Sequence, residues 1–182
     1  MEFEHQFLLF LQEHFRTGWL NPVMTTITHL GDGGWFFIMI ALILLAFPRT
    51  RRCGWCMGIA LILHLLSVNL CIKPLVARMR PYDRYPDLIL LIKAATDYSF
   101  PSGHTSASIA ASWALLLSLE KGEKRWGVCL MALALLVAFS RLYVGIHYPT
   151  DVLAGLLIGT ICGLLSLPMY AKIEEKCRRK SA

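Results

Sequence analysis

The chain has 182 residues, enough for one domain, and 56% of them are hydrophobic while only 16% are charged. A mean hydropathy of +0.55 excludes a soluble globule, which has no interior large enough for so much apolar surface, and leaves a polytopic membrane protein. The net charge is +6, but the basic residues cluster in short segments between apolar runs, which fits membrane topology and anionic ligands and speaks against nucleic acid.

The N-terminus, MEFEHQ, has no basic run of the kind that opens a cleavable signal peptide. Residues 3–30 alternate Phe3, Phe7, Leu8, Phe10, Leu11 and Phe15 with Glu4, Gln6, Gln12, Glu13 and Arg16. The pattern predicts an amphipathic segment over 1–32 lying in the membrane interface. A further span there is the alternative, and its charges argue against it. His5 and His14 are expected on the polar face. His29 and Asp32, beside Gly31, Gly33 and Gly34, read as a break or cap.

Five apolar segments follow, at roughly 33–48, 53–72, 103–119, 126–144 and 151–170. A spanning helix needs about 20 residues, so the first, third and fourth are short as drawn. The expected fold is an all-α polytopic membrane protein: about five transmembrane helices in a core over 33–170, the interfacial segment before it, and a basic cytoplasmic tail over 171–182. PRTRR after the first segment, EKGEKR after the third and KIEEKCRRK after the last fall on one side if five spans alternate. That side is cytoplasmic by the positive-inside rule. The opposite side carries its own basic set, Lys73, Arg78, Arg80, Arg84 and Lys93, an exception that needs a cause.

Within the spans, His64 and Asn69 suit interhelical hydrogen bonds. Gly155, Gly159 and Gly163 form a small-residue stripe that serves packing, within the chain or in a dimer alike. Cys53 and Cys56 make a CxxC with no second pair to complete a zinc site, so the six cysteines read as small hydrophobes.

Three stretches gather the remaining polar residues at the outer face: KPLVARMRP (73–81), PSGH (101–104) and SRLYVGIHYPTD (140–151). Lys73, Arg80 and Arg141 supply fixed positive charge, and the arginine fork matches phosphate oxygens. Ser102 and Gly103 open a helix whose free N–H groups favour an anion. His147 stands four residues before Asp151, which can hold one ring nitrogen and leave the other free to attack. His104 can protonate a leaving oxygen. A structural hydrogen bond for His147–Asp151 and a snorkelling Arg141 explain each residue singly but not the convergence. A metal site on His104, His147 and Asp151 is the sharper rival, opposed by three cations that would repel a divalent ion.

These stretches, read as K-x6-RP, PSGH and SR-x5-H-x3-D, resemble the signature of the type 2 phosphatidic acid phosphatase family of membrane lipid phosphatases. The resemblance covers 73–151, and WLNPVMTTITHLGDGG (19–34) resembles the segment before the core in bacterial members. It implies catalysis by His147, Asp151 and His104, and phosphate binding by Lys73, Arg80, Ser102, Gly103 and Arg141. It implies attack by His147 on phosphorus, a phosphohistidine, and release by water, with no metal or other cofactor. The expected partners are the bilayer and a lipid phosphate, in a bacterial inner membrane with the site facing outward. Undecaprenyl diphosphate is the expected substrate, with phosphatidylglycerophosphate or phosphatidate as alternatives. A non-hydrolytic lipid-phosphate binder or transporter and a lipid phosphotransferase are the other classes. Similarity to the vanadate site of haloperoxidases implies inhibition by vanadate.

Overall fold

A computed structural model describes residues 2–181. Among them all regular structure is helical. Helix α1 (Glu2–His14) and α2 (Leu20–His29) precede α3 (Trp35–Ala46). α4 (Arg51–His64) continues through a π-helical stretch, Leu65–Ile72, into the single turn α5 (Lys73–Val76). After the turn α6 (Pro81–Arg84) an irregular loop leads to α7 (Gly103–Ser118), α8 (Lys124–Tyr143) and α9 (Pro149–Ser181).

The helical fold agrees with the sequence, and helices stand at the five expected apolar segments, but not all of them are long enough to cross a membrane alone. Three stretches, Arg51–Arg84, Lys121–Tyr143 and Pro149–Arg179, are long and apolar enough to cross a membrane. A fourth arises only if α2 and the Asp32–Ala46 helix, bent by 48°, count as one broken span. The bend follows from Gly33 and Gly34, whose φ of 57° and 71° few other residues adopt. α7 has only 16 residues, about 24 Å at 1.5 Å per residue. It survives its shortness because α4, α8 and α9 surround it. α9 carries on through the basic stretch after residue 170, supported by Glu174–Arg178 and Glu175–Arg179 pairs four residues apart.

The glycine stripe lies inside the chain, between α9 and α7. A Cβ on Gly155 would sit 2.9 Å from Ser102 O, one on Gly159 2.6 Å from Ser106 O, and one on Gly163 2.5 Å from Trp113 Cβ. The backbones therefore approach closer than any side chain allows. Gly159→Leu should destabilise the protein by about 3 kcal/mol or more, since backbone cannot move aside as a side chain can. The check is the Tm in detergent against wild type. Cys53 and Cys56 are buried beside Phe37 and Met57, as small hydrophobes.

Arg49, after α3, reaches Glu123, before α8, at 2.9 Å. The two basic loops thus share one end of the bundle. Lys73, Ser102, Arg141 and His147 stand at the opposite end of their helices.

Candidate active site

Each of the three stretches ends a helix where its polar residues can leave the apolar packing. Ser102 caps α7, accepting from Thr105 Oγ1 at 2.9 Å, while its own N–H donates to Asp151 O at 3.0 Å. That bond ties the start of α7 to the start of α9. Arg141 lies in the last turn of α8, and Gly145, at φ 81°, turns the chain back. Pro149 opens α9 at the position where its missing N–H costs nothing.

His147 sits in that turn, 1% exposed. Its Nδ1 faces Asp151 Oδ2 at 3.3 Å, and its Nε2 stands 3.4 Å from Arg80 Nη1. Burial pushes the imidazole down to about 3; the Asp151 hydrogen bond opposes this and the charges of Arg141 and Arg80 add to it. The ring is therefore neutral at ordinary pH. With its proton on Nδ1 toward Asp151, the Nε2 lone pair faces the cations.

Arg80 donates to Asp97 O at 2.8 Å, Ile146 O at 3.0 Å and Asp97 Oδ1 at 2.6 Å. Lys73 also pairs with the Asp97 carboxylate. Arg141 donates from Nη1 to Thr28 Oγ1 at 2.6 Å, while its buried Nε has no partner among the described residues. Buried N–H groups are almost always satisfied, so an orphan on a guanidinium at this place marks room for an acceptor. A Cβ on Gly103 would lie 3.5 Å from Lys73 Nζ. The structure thus brings Lys73, Arg80, Ser102, Gly103, Arg141, His147 and Asp151 to one end of the bundle. His104, in the first turn of α7, lines a groove with Lys73 and Gly103.

Several partners were not legible in the motifs. Asp32 Oδ1 holds His104 Nε2 at 2.8 Å and its Oδ2 holds His29 Nδ1 at 2.7 Å. The expected break is present, and at it Asp32 is also a carboxylate between two histidines. Thr28 supports Arg141. Glu4, expected on the polar face of an interfacial helix, is buried; it accepts from Arg78 at 2.6 Å and from the Thr150 hydroxyl at 2.5 Å. Arg78 also donates to Asp151 Oδ1 at 2.6 Å and lies 3.9 Å over the Tyr148 ring. His5 likewise leaves the expected polar face, pairing with Asp87 and stacking on Tyr85. The N-terminal segment is thus built into the site. The signal available for Arg78 was the unexplained basic excess on this side.

Asp151 is fully buried and its carboxylate is saturated: Arg78 on Oδ1, and Ser99 Oγ at 2.5 Å, Tyr148 N at 2.9 Å and His147 on Oδ2. Arg78→Ala leaves this carboxylate without its cation and should lower kcat by tenfold or more, about the worth of a charged hydrogen bond. Arg78→Lys should recover part of it. Steady-state kinetics on both variants check this.

Asp97 lies in the loop before α7. Its burial tends to raise the carboxyl, but the hydrogen bond and charge of Lys73, then the charge of Arg80, outweigh it and hold it at about 2. The stability this contributes is complete above the ordinary value of 3.8 and is lost as pH falls toward about 2. Asp97→Asn should therefore lower Tm at neutral pH, with the gap to wild type closing across that acid window.

The family model of the PAP2 superfamily matches residues 52–175. An undecaprenyl-diphosphatase of Sulfolobus acidocaldarius is 34% identical over 161 residues, covering 86% of this chain and 76% of that protein. The crystal structure of Aquifex aeolicus LpxE superposes with a TM-score of 0.76 at 28% identity, over 90% of this chain and 93% of that one. That of a transmembrane PAP2-type phosphatidylglycerolphosphate phosphatase from Bacillus subtilis also gives 0.76, at 27% identity, over 94% and 86%.

Proposed function

The chain belongs to the PAP2 superfamily, as a membrane phosphatase acting on phosphate esters, and on that premise we propose that it removes the terminal phosphate of a lipid diphosphate through a phosphohistidine on His147. The observation that carries this reading is the pairing of His147: Nδ1 toward Asp151 and Nε2 toward Arg80. A phosphoryl group among Lys73, Arg80 and Arg141 would meet Nε2 directly. The Ser102 cap and the α7 N-terminus add polar groups to the cradle.

In the first step the Nε2 lone pair forms the N–P bond as the P–O bond to the leaving group breaks. His104, held by Asp32, gives its proton to the departing oxygen. Positive charge spreads over the His147 ring and is met by Asp151. In the second step His104 takes a proton from water, the water oxygen attacks phosphorus, and the N–P bond breaks to release phosphate. The cations meet the charge on the phosphoryl oxygens in both steps, often the largest single contribution to catalysis. Vanadate, which takes a similar geometry around its metal atom, is expected to occupy the same cradle and inhibit.

A groove of about 490 Å³ supports a lipid substrate. It runs between α3 and α4, lined by Ile38, Leu42, Leu61 and Leu65, and reaches His104, Lys73 and Gly103. A tail in the bilayer can lie there with its headgroup at the site. The basic loops at the opposite end of the bundle support a site facing the extracytoplasmic side of a bacterial inner membrane. Within this class undecaprenyl diphosphate is the preferred substrate, consistent with the Sulfolobus relative's name. The test is phosphate release by purified protein in detergent with excess EDTA, offered undecaprenyl diphosphate, phosphatidylglycerophosphate and phosphatidate in parallel. Fastest release from the first supports the proposal. Preference for either of the others would move the substrate, and release from none would remove the hydrolase reading.

A further inference from the structure

Two polar residues of the second span face the groove and have no part in the chemistry above. His64 ends α4 and Asn69 lies five residues on, in the π-helical stretch. In an α-helix that spacing would turn Asn69 about 140° from His64. The wider winding of a π-turn narrows that angle, so both residues reach the same groove, and such turns are frequent at functional sites. Both residues line the groove, between its apolar walls and the Lys73–Gly103–His104 end.

Their hydrogen-bonding capacity is not used up. His64 Nδ1 pairs with Ser106 Oγ at 2.9 Å, the interhelical bond the sequence suggests, but its Nε2 has no partner among the described residues. The Asn69 side chain has none there either, although it stands in a span where an unsatisfied amide is costly. Its Oδ1 would lie 3.4 Å from a Cβ on Gly103, beside the 3.5 Å position of Lys73 Nζ. An open imidazole edge, an open amide and a lysine therefore surround the neck of the groove, where the chain of a lipid would give way to its headgroup.

We propose that His64 and Asn69, with Lys73, form a second phosphate subsite that holds the lipid-proximal phosphate of a diphosphate substrate. The terminal phosphate then lies on Arg80, Arg141 and the Ser102 cap, Lys73 stands between the two phosphates and serves both, His104 stands at the bridging oxygen, and the tail follows the groove. A phosphate oxygen beside His64 favours the tautomer with its proton on Nε2, while Ser106 turns its hydroxyl proton onto Nδ1. The Asn69 amide NH2 donates to a second oxygen. The leaving group is then a lipid monophosphate, held as it departs, and the subsite selects lipid diphosphates over lipid monophosphates of the same tail.

This inference rests on the hydrolase reading, and the test separates the two. Farnesyl diphosphate and farnesyl phosphate share one tail and differ by one phosphate. Wild type, Asn69→Ala and His64→Gln are assayed on both, with vanadate inhibition of each as a gauge of the cradle. The expected result is a wild-type preference for the diphosphate, and a fall of about tenfold or more in the diphosphate-to-monophosphate ratio of kcat/KM in each variant, the size of one charged hydrogen bond. Vanadate should inhibit all three alike. Asn69 is exposed in the groove, so its truncation keeps the test valid if His64→Gln fails to fold. An unchanged ratio in Asn69→Ala, or a wild type that prefers the monophosphate, overturns the subsite and leaves the hydrolase reading standing. A wild type that cleaves neither overturns both.

Discussion

His147→Ala is expected to abolish phosphate release, by about 10⁴-fold or more, while the protein stays folded. Under the proposed mechanism this substitution removes the nucleophile and with it the route to a covalent intermediate, and effects of that size accompany such losses in other hydrolases. The side chain is buried in a turn whose shape is held by backbone bonds independent of the ring: Ile146 N to Arg141 O and Asp151 N to Tyr148 O. The fold should therefore tolerate its truncation, as an unchanged elution volume and a Tm close to wild type would report. Residual activity near the wild-type level would assign the attack to another group.

Asp151→Asn should cost about 10³- to 10⁴-fold in kcat, with a much smaller effect on KM. The loss of a carboxylate behind a catalytic histidine has that magnitude elsewhere, because ring orientation and tautomer go wrong. Here three further consequences follow from the contacts. The amide cannot accept from Ser99, Tyr148 and His147 on one atom while also receiving from Arg78 on the other, since its NH2 only donates. Arg78 would be left with Glu4 alone as counter-charge. The positive ring formed on attack would lose the negative charge that meets it. Parallel kinetics and Tm measurements check the variant. A fall in stability with kcat retained would make Asp151 a structural residue, joining the starts of α7 and α9.

What the sequence disclosed and what it hid divide along a physical line. The helical class follows from apolar runs that no other architecture can satisfy in lipid. The residues at the site are visible because arginine, histidine and aspartate are costly at membrane helix ends. The span boundaries were less legible. α3 and α7, at 12 and 16 residues, are too short to cross alone, and only packing shows that α7 is sheltered while α3 continues a bent α2. The partners Asp32, Glu4, Thr28 and Asp97 were hidden because each looks ordinary in its own neighbourhood. Glu4 alternates with phenylalanines as in any interfacial helix, and only the fold reveals that it meets Arg78 74 residues away. Asp97 lies in a loop with no periodicity at all. The π-turn that brings His64 and Asn69 to one groove likewise leaves no mark in composition.

The most direct test of the central claim is capture of the phosphoryl-enzyme. Substrate labelled in its terminal phosphate is mixed with the purified protein and quenched within milliseconds at alkaline pH, where phosphohistidine persists. The expected result is label on the protein, released by acid, mapping to His147 and absent from His147→Ala. Turnover of the same substrate with no label on the protein at any quench time, or label on another residue, would contradict it.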